Sequence, residues 1–277
     1  MTSLAYRRSG SGEPLVLLHP LGSSRQAWDP VVPALARQFD VIAVDLPGFG
    51  ESAPLPGEPS PAALAAAVAG LLDELGVITP HVAGNSLGGW VAMELARRRP
   101  LASVTLLSPA GLWRGSTPYY CRISLRATRW LARHATGPLC WLVRFRPGRA
   151  LVLGQTHGRP GQLTPGYAQA AIRTLGGSPG FSAVLRATLH RRNLVTEPVG
   201  APVTVAIGDR DRMLPPRRAR HLDQLPPGTY TGDLPGCGHV PMSDDPGAVT
   251  ALIMRSTARA VTTGPGAGPA GDHQRGW

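Results

Sequence analysis

The chain has 277 residues, 43% of them hydrophobic, and is long enough to bury a core without disulfide or metal staples. Its three cysteines are an odd number, which argues against a disulfide framework and favours the reducing conditions of the cytoplasm. The net charge is +11 and all 28 basic residues are arginines, yet the sequence has no nucleic-acid recognition motif, so we expect no nucleic-acid partner.

The first predicted elements are strands on either side of one helix. Residues 4–8 predict a short edge strand, and the continuously apolar run 14–19 predicts a buried parallel strand. A helix is predicted over 28–37 and another strand over 39–45. The apolar run at 15–18 is too short for a signal-peptide core or a membrane span, so we expect a cytoplasmic chain without stable membrane insertion.

Helices and strands continue to alternate along the chain. Residues 60–76 have helical spacing, with Ser60 as the N-cap and Gly76 as the stop. The apolar stretch 81–83 leads into a helical run at 90–96, and three strands and a closing helix are predicted at 101–107, 202–207, 229–234 and 245–261. This alternation predicts an α/β fold with a mostly parallel sheet that helices cover on both faces.

Ser86 lies between the strand at 81–83 and the helix that follows it, in the string Gly-Asn-Ser-Leu-Gly-Gly. A nucleophilic serine on such a turn needs small residues two before and two after it, and Gly84 and Gly88 supply that room. The alternative is that Ser86 only caps the helix. The same Gly-x-Ser-x-Gly pattern recurs around Ser178, but no strand precedes it and Pro179 lacks the N–H of an elbow, so we interpret Ser178 as a loop serine.

Positive charge is concentrated in one stretch of the chain. Residues 112–196 contain 13 arginines and no aspartate or glutamate, along with apolar helical stretches. We interpret them as a folded segment with a basic surface, which would suit an anionic substrate, an acidic partner protein or a membrane surface. Residues 263–277 are rich in glycine and proline, and we expect a disordered tail there.

Chemistry in open α/β sheets gathers at the carboxyl ends of the strands. Four such places carry suggestive groups, namely residues 19–22 (His-Pro-Leu-Gly), Ser86, residues 208–211 (Gly-Asp-Arg-Asp) and His239. Serine, acid and histidine therefore follow one another in that order along the chain.

These motifs, together with the glycine-rich loop 45–52, resemble those of the α/β-hydrolase family over nearly the whole chain. The resemblance implies a core made of residues 1–111 and 197–262, with 112–196 inserted as a helical cap over the site. It also implies a small-molecule acyl substrate and no cofactor. Because the histidines outside these motifs have no partners at metal-ligand spacing, we expect no metal.

By this resemblance, Ser86 attacks an acyl carbon, His239 takes its proton, and a buried carboxylate orients the imidazole. Family members place that acid three residues after the glycine that ends the strand, which is Asp211 here, and Asp209 is the alternative. The backbone N–H groups of Leu21 and Leu87 would hold the oxyanion.

Other residues are expected to support this set. His19 would fix the loop that carries Leu21, Asp45 and Ser52 would brace the loop 45–52, and Cys237 would be a small buried residue. Six side chains of the cap could line its underside: Trp130, Leu131, Leu139, Trp141, Leu142 and Phe145.

The predicted function is hydrolysis of an ester, lactone or thioester of modest size. A carbon–carbon bond hydrolase acting on anionic vinylogous diketo acids is an alternative, because its elbow is similar and arginines would suit its substrates, although Val240 stands where such enzymes carry Trp. Further alternatives are a thioesterase whose basic cap docks an acidic acyl-carrier protein, and a non-catalytic protein that kept the pocket. Dehalogenases and epoxide hydrolases of this fold use an aspartate nucleophile, and Ser86 argues against both.

Overall fold

The computed structural model describes residues 4–193, 195 and 197–262, and within them seven strands form one sheet in the order β1-β3-β2-β4-β5-β6-β7. In these residues β1 pairs antiparallel with β3, and all other neighbours are parallel. The strands are Tyr6–Ser9 (β1), Glu13–Leu18 (β2), Phe39–Val44 (β3), His81–Asn85 (β4), Ser103–Leu107 (β5), Val203–Gly208 (β6) and Tyr230–Leu234 (β7).

Helices cover both faces of the sheet, so the predicted α/β fold with a mostly parallel sheet is confirmed. Leu64, Val91 and Phe181 bury one face, and Trp28 and Ile253 bury the other. The helices are Val32–Leu35 (α1), Pro61–Glu74 (α2), Leu87–Ala96 (α3), Tyr119–His134 (α4), Thr136–Leu142 (α5), Arg146–Leu153 (α6), Pro165–Gly177 (α7), Phe181–Thr188 (α8), Pro216–Ala219 (α9), Pro241–Asp244 (α10) and Pro246–Thr262 (α11).

The helix predicted over 28–37 is wrong in extent. The chain forms a 3₁₀ turn at Arg25–Trp28 and then the short α1 instead. Pro30 and Pro33 have no N–H to donate, so a continuous helix through both would lose backbone hydrogen bonds.

Five helices, α4 to α8, lie between β5 and β6, and we call residues 112–193 the insertion. Helices α4 to α7 enclose a small apolar cluster of their own that includes Val143 and Ile172. Helix α8 instead buries Phe181 and Val184 in the main core. The predicted tail at 263–277 lies outside the described residues. None of the helices in the described ranges combines the length and hydropathy that crossing a bilayer requires.

The strand order places a crevice between β2 and β4. The chain leaves β2 for β3 on one side and then returns to β4 on the other side of β2. Ligands of open α/β sheets bind at such a reversal, outside the carboxyl ends of the strands. The segment after β2 begins with His19 and that after β4 begins with Ser86, so the two segments meet there.

Candidate active site

Ser86 stands on a sharp turn between β4 and α3. Its backbone has φ 54° and ψ −112°, a left-handed conformation that costs a residue other than glycine about 1–3 kcal/mol. The turn is held from both sides, because the Ser86 N–H donates to the oxygen of Leu107 at 3.0 Å and its oxygen accepts from the N–H groups of Trp90 and Ala110. The strain is therefore built into the fold and presents the hydroxyl at the edge of the sheet.

Glycines let the backbones around Ser86 approach each other. A Cβ on Gly84 would lie 2.3 Å from the backbone oxygen of Gly88. A Cβ on Gly88 would lie 2.1 Å from the oxygen of Leu18, at the end of β2. Larger residues at either position would push α3 away from the strands and move the Ser86 hydroxyl.

Three polar side chains that are distant in sequence form one hydrogen-bonded chain. The Ser86 Oγ lies 2.8 Å from Nε2 of His239, and Nδ1 of His239 lies 2.9 Å from Oδ2 of Asp211. All three side chains are buried. Since an ionised carboxylate only accepts, Nδ1 of His239 carries the proton and Nε2 is left to accept the proton of the serine hydroxyl.

The Asp211 carboxylate is held ionised. Burial opposes its charge, but the neighbouring His239, the N–H of Leu214 and the charge of Arg220 outweigh burial and keep the pKa of Asp211 below its ordinary value. Its Oδ1 accepts from the N–H groups of Met213 and Leu214 at 2.9 and 3.0 Å. Asp209 is exposed and accepts from the N–H of Gly236 instead, so it is Asp211 that the fold brings to the imidazole.

Two backbone N–H groups beside Ser86 are available to a ligand. Leu21 and Leu87 both line the cavity that contains the Ser86 side chain. Leu87 is the first residue of α3, where N–H groups have no partner within the helix. Within the described residues, neither N–H donates to a protein acceptor. Such a pair can receive a developing negative charge on a bound oxygen.

The imidazole of His19 fixes the segment that carries Leu21. Its Nε2 accepts from the N–H of Leu46 at 3.0 Å, and its Nδ1 donates to the oxygen of Pro20 at 2.8 Å. Burial lowers the pKa of His19 to about 4, so the ring is neutral at neutral pH, as these two bonds require. His19 therefore holds the segment that carries Leu21 in place and is not part of the hydrogen-bonded chain that contains Ser86.

Two residues that sequence reasoning missed hold the loop of His239. Asn85 Nδ2 donates to the backbone oxygens of His239 and Leu107, at 2.8 and 2.9 Å. The Asp244 carboxylate accepts from the N–H of Gly238, and from the N–H groups of Gly158 and Arg159 in the insertion. Asn85 leaves a weak signal, a polar residue at the end of a buried strand. Asp244 leaves none, because its partners are backbone groups.

A cavity of about 510 Å³ opens above Ser86 and His239, within the range of small-molecule sites. Among the described residues that line it, none is an arginine, an aspartate or a glutamate. Its wall is mainly aliphatic and is formed largely by the insertion, with side chains that include Leu125, Leu131, Leu139, Leu142, Leu151, Ile172, Leu175, Val184 and Leu185. The cavity suits an uncharged apolar group.

The side chains expected beneath the cap divide into two groups. The three leucines, Leu131, Leu139 and Leu142, line the cavity. The three aromatic residues are exposed and are not among the residues that line it, namely Trp130, Trp141 and Phe145. The sequence predicted apolar helical stretches here, but the packing of the insertion decides which of their side chains line the cavity.

Comparisons with known proteins agree with this architecture. The alpha/beta hydrolase family matches residues 15–252 of the chain. Epoxide hydrolase EphH of Mycobacterium tuberculosis is 35% identical over 201 residues, which are 70% of this chain and 93% of that protein. A pimeloyl-[acyl-carrier protein] methyl ester esterase of Aeromonas hydrophila is 41% identical over 111 residues, which are 39% of this chain and 41% of that protein. A thermophilic esterase from Thermogutta terrifontis superposes with a TM-score of 0.74 at 25% identity, over 93% of each chain.

Proposed function

The chain belongs to the alpha/beta hydrolase family, and on that premise we propose that it is a cofactor-independent serine hydrolase of carboxylic esters. The observation that carries the proposal is the hydrogen-bonded chain from Ser86 through His239 to Asp211. A hydroxyl, a base and an orienting carboxylate in this order constitute an activated nucleophile.

The proposed reaction proceeds through an acyl-enzyme. The Ser86 oxygen attacks the acyl carbon while Nε2 of His239 takes its proton, and the Asp211 carboxylate stabilises the imidazolium that forms. The N–H groups of Leu21 and Leu87 donate to the oxyanion of the tetrahedral intermediate. The imidazolium then protonates the leaving alkoxide, and a water molecule activated by the same imidazole hydrolyses the acyl-enzyme.

The identity of the nucleophile favours acyl transfer over epoxide opening, although one relative is named an epoxide hydrolase. A serine oxygen that opened an epoxide would form an ether, which water does not cleave under enzymatic conditions. The same oxygen on an acyl carbon forms an ester, which the activated water hydrolyses. Of these two substrate classes, Ser86 completes a catalytic cycle with the acyl substrate and not with the epoxide.

The cavity supports an uncharged apolar acyl group as the substrate. An anionic diketo acid would place its carboxylate in an aliphatic cavity whose described lining has no arginine, and burying an unpaired charge is costly. The same chemistry serves esters, lactones and thioesters. We propose further that the insertion is the cap predicted for residues 112–196, because its residues form most of the cavity wall above Ser86.

A panel of p-nitrophenyl esters from acetyl to dodecanoyl tests this function. We expect kcat/KM to rise above that of the acetyl ester as the chain fills the cavity, and activity to vanish in Ser86→Ala. The matched control Ser178→Ala should retain activity, because the Ser178 hydroxyl donates to the oxygen of Thr174 in the insertion. Turnover of an epoxide or a vinylogous diketo acid without turnover of any ester would overturn the proposal, and binding without any turnover would indicate a non-catalytic protein.

A further inference from the structure

The outward side of α4 carries a stripe of large apolar side chains. Tyr119, Ile123 and Trp130 are 70%, 46% and 60% exposed. They recur at positions i, i+4 and i+11 of the helix, so they share one face. Exposed apolar side chains that lie together on one face commonly mark an interaction site, whereas singly scattered ones do not.

Arginines border this stripe. Arg126 and Arg133 lie on α4 beside Trp130 and are exposed. Arg144, between α5 and α6, and Arg146, the first residue of α6, are also exposed. In the part of the chain that the structure describes, none of these four lies within ion-pair distance of a carboxylate. The surface is thus both apolar and uncompensated in charge.

Further large apolar side chains are exposed on α5 and α6 and beside the cavity. Trp141 and Phe145 are exposed, and their rings pack against each other with centroids 5.3 Å apart. Leu131 and Leu151 are 43% and 78% exposed and also line the cavity above Ser86. Leu131 and Leu151 therefore belong both to the cavity wall and to the exposed apolar surface of the insertion.

We propose that this docking face, the exposed side of α4, α5 and α6, binds peripherally to the surface of a lipid bilayer with anionic headgroups. Indole and phenyl rings lie at the boundary between headgroups and acyl chains, where one side is apolar and the other wet. Guanidinium groups beside them donate paired hydrogen bonds to lipid phosphates. An apolar acyl substrate would pass from the bilayer into the cavity, and this second step rests on the proposed ester hydrolysis.

The positive charge of the docking face favours an anionic bilayer over a second copy of the chain as the partner. A symmetric dimer through the docking face would bring arginines against arginines, with no acid in residues 112–196 to compensate them. An acidic carrier protein would satisfy the charges. However, its acyl arm carries amides and would have to cross Leu131 and Leu151 at the mouth, and its acidic surface offers no counterpart to the two tryptophans.

Sedimentation with vesicles tests the docking face without using catalysis. We expect the protein to bind vesicles that contain phosphatidylglycerol at physiological salt, and to bind pure phosphatidylcholine weakly. The double variant Arg126→Gln/Arg133→Gln should lose about 30-fold in partitioning to the anionic vesicles. Trp130→Ser/Trp141→Ser should lose roughly tenfold or more.

Matched controls come from the amino ends of the strands, away from the cavity. Arg37→Gln/Arg98→Gln removes the same charge from exposed positions near β3 and α3, and Ile78→Ser removes a side chain that is 77% exposed before β4. Both controls should bind like the parent, and thermal unfolding should show that all variants are folded.

The proposal is overturned if the protein does not bind anionic vesicles, if the control variants lose as much binding as the docking-face variants, or if an acidic carrier protein is bound and vesicles are not. Ser86→Ala should bind vesicles like the parent. Hydrolysis of soluble esters without vesicle binding would therefore overturn the docking face alone, and vesicle binding without hydrolysis of any ester would overturn the proposed function alone.

Discussion

The side chain of Asn85 donates a hydrogen bond to the backbone oxygen of His239 at 2.8 Å, so the residue before the nucleophile holds the loop of the base. The same amide group also donates to the oxygen of Leu107, at the end of the neighbouring strand. One buried side chain thus links the end of β5, the turn at Ser86 and the loop that carries His239.

Replacing Asn85 with Asp should damage both stability and turnover. The isosteric carboxylate cannot donate, so the buried oxygen of His239 loses the amide that it accepts from, while the oxygen of Leu107 keeps the N–H of Ser86. We expect a cost of about 1–3 kcal/mol in the free energy of unfolding. The freed histidine loop should lower kcat by roughly tenfold to a hundredfold. Urea denaturation and ester kinetics measure the two effects.

Asn193→Ala is the control for this prediction. It removes another buried amide, which donates to the oxygen of Ala110 and, among the described residues, makes no hydrogen bond to His239. It should destabilise the protein and leave kcat near the parent value, and an equal loss of kcat in the two variants would contradict the role of Asn85.

Asp211→Asn should leave the shape of the site intact and lower kcat by roughly 10³ to 10⁴, because the amide neither stabilises the imidazolium nor fixes the tautomer of His239. The adjacent Asp209→Asn should stay within about tenfold of the parent, since the Asp209 carboxylate accepts from the N–H of Gly236 and, among the described residues, makes no hydrogen bond to His239. Steady-state kinetics on one ester compares them. A larger loss in Asp209→Asn would transfer the acid role to Asp209.

Ala171→Phe should shift the preference toward short acyl chains. Ala171 lines the cavity, and the added ring would occupy space that a long chain needs. We expect kcat/KM for the longest ester to fall at least tenfold more than that for the acetyl ester. Ala170→Phe places the same ring on the exposed side of α7 and should leave the chain-length profile unchanged. A profile unaffected in Ala171→Phe would place the acyl group elsewhere.

Acid should destabilise the protein through buried neutral histidines. Burial lowers the pKa of His157 to about 4 from 6.5, so between these values the unfolded chain binds a proton that the native state does not. The stabilising contribution is complete above pH 6.5 and is lost as the pH falls toward 4. Each such group adds about 1.4 kcal/mol per pH unit to the slope of the unfolding free energy in this window.

His157→Gln measures that contribution. Urea denaturation at several pH values between 4 and 6.5 should give a slope smaller by about one proton than that of the parent, in which the buried His19 also titrates. Equal slopes in the two proteins would show that His157 is accessible to protons in the native state.

The elements that the sequence predicts well are those with a local cause. All residues of β3 are buried and all but Asp40 are apolar, and a nearly continuous apolar run is what such a strand requires. Helix α2 begins where Ser60 accepts from the N–H of Ala63 and Pro61 follows, within one residue of the prediction. The end of β4 was harder to predict, because Gly84 and Asn85 are residue types typical of turns. Pairing with β5 holds them in the strand.

What the sequence could not provide depends on tertiary packing. Nothing in the spacing of the insertion distinguishes Leu131, which lines the cavity, from Trp130, which is exposed. The sequence shows how many arginines the insertion contains but not which way they point. None of the described residues that line the cavity is an arginine. Asp244 escaped notice because its three partners are backbone N–H groups, which carry no residue-specific signal.

The most direct test of Ser86 as the nucleophile is to identify the residue that a fluorophosphonate probe modifies. Peptide mapping by mass spectrometry should place the adduct on Ser86 in the parent and in Ser178→Ala, and should detect no adduct in Ser86→Ala. An adduct on another residue, or labelling that persists in Ser86→Ala, would contradict the assignment of Ser86 as the nucleophile.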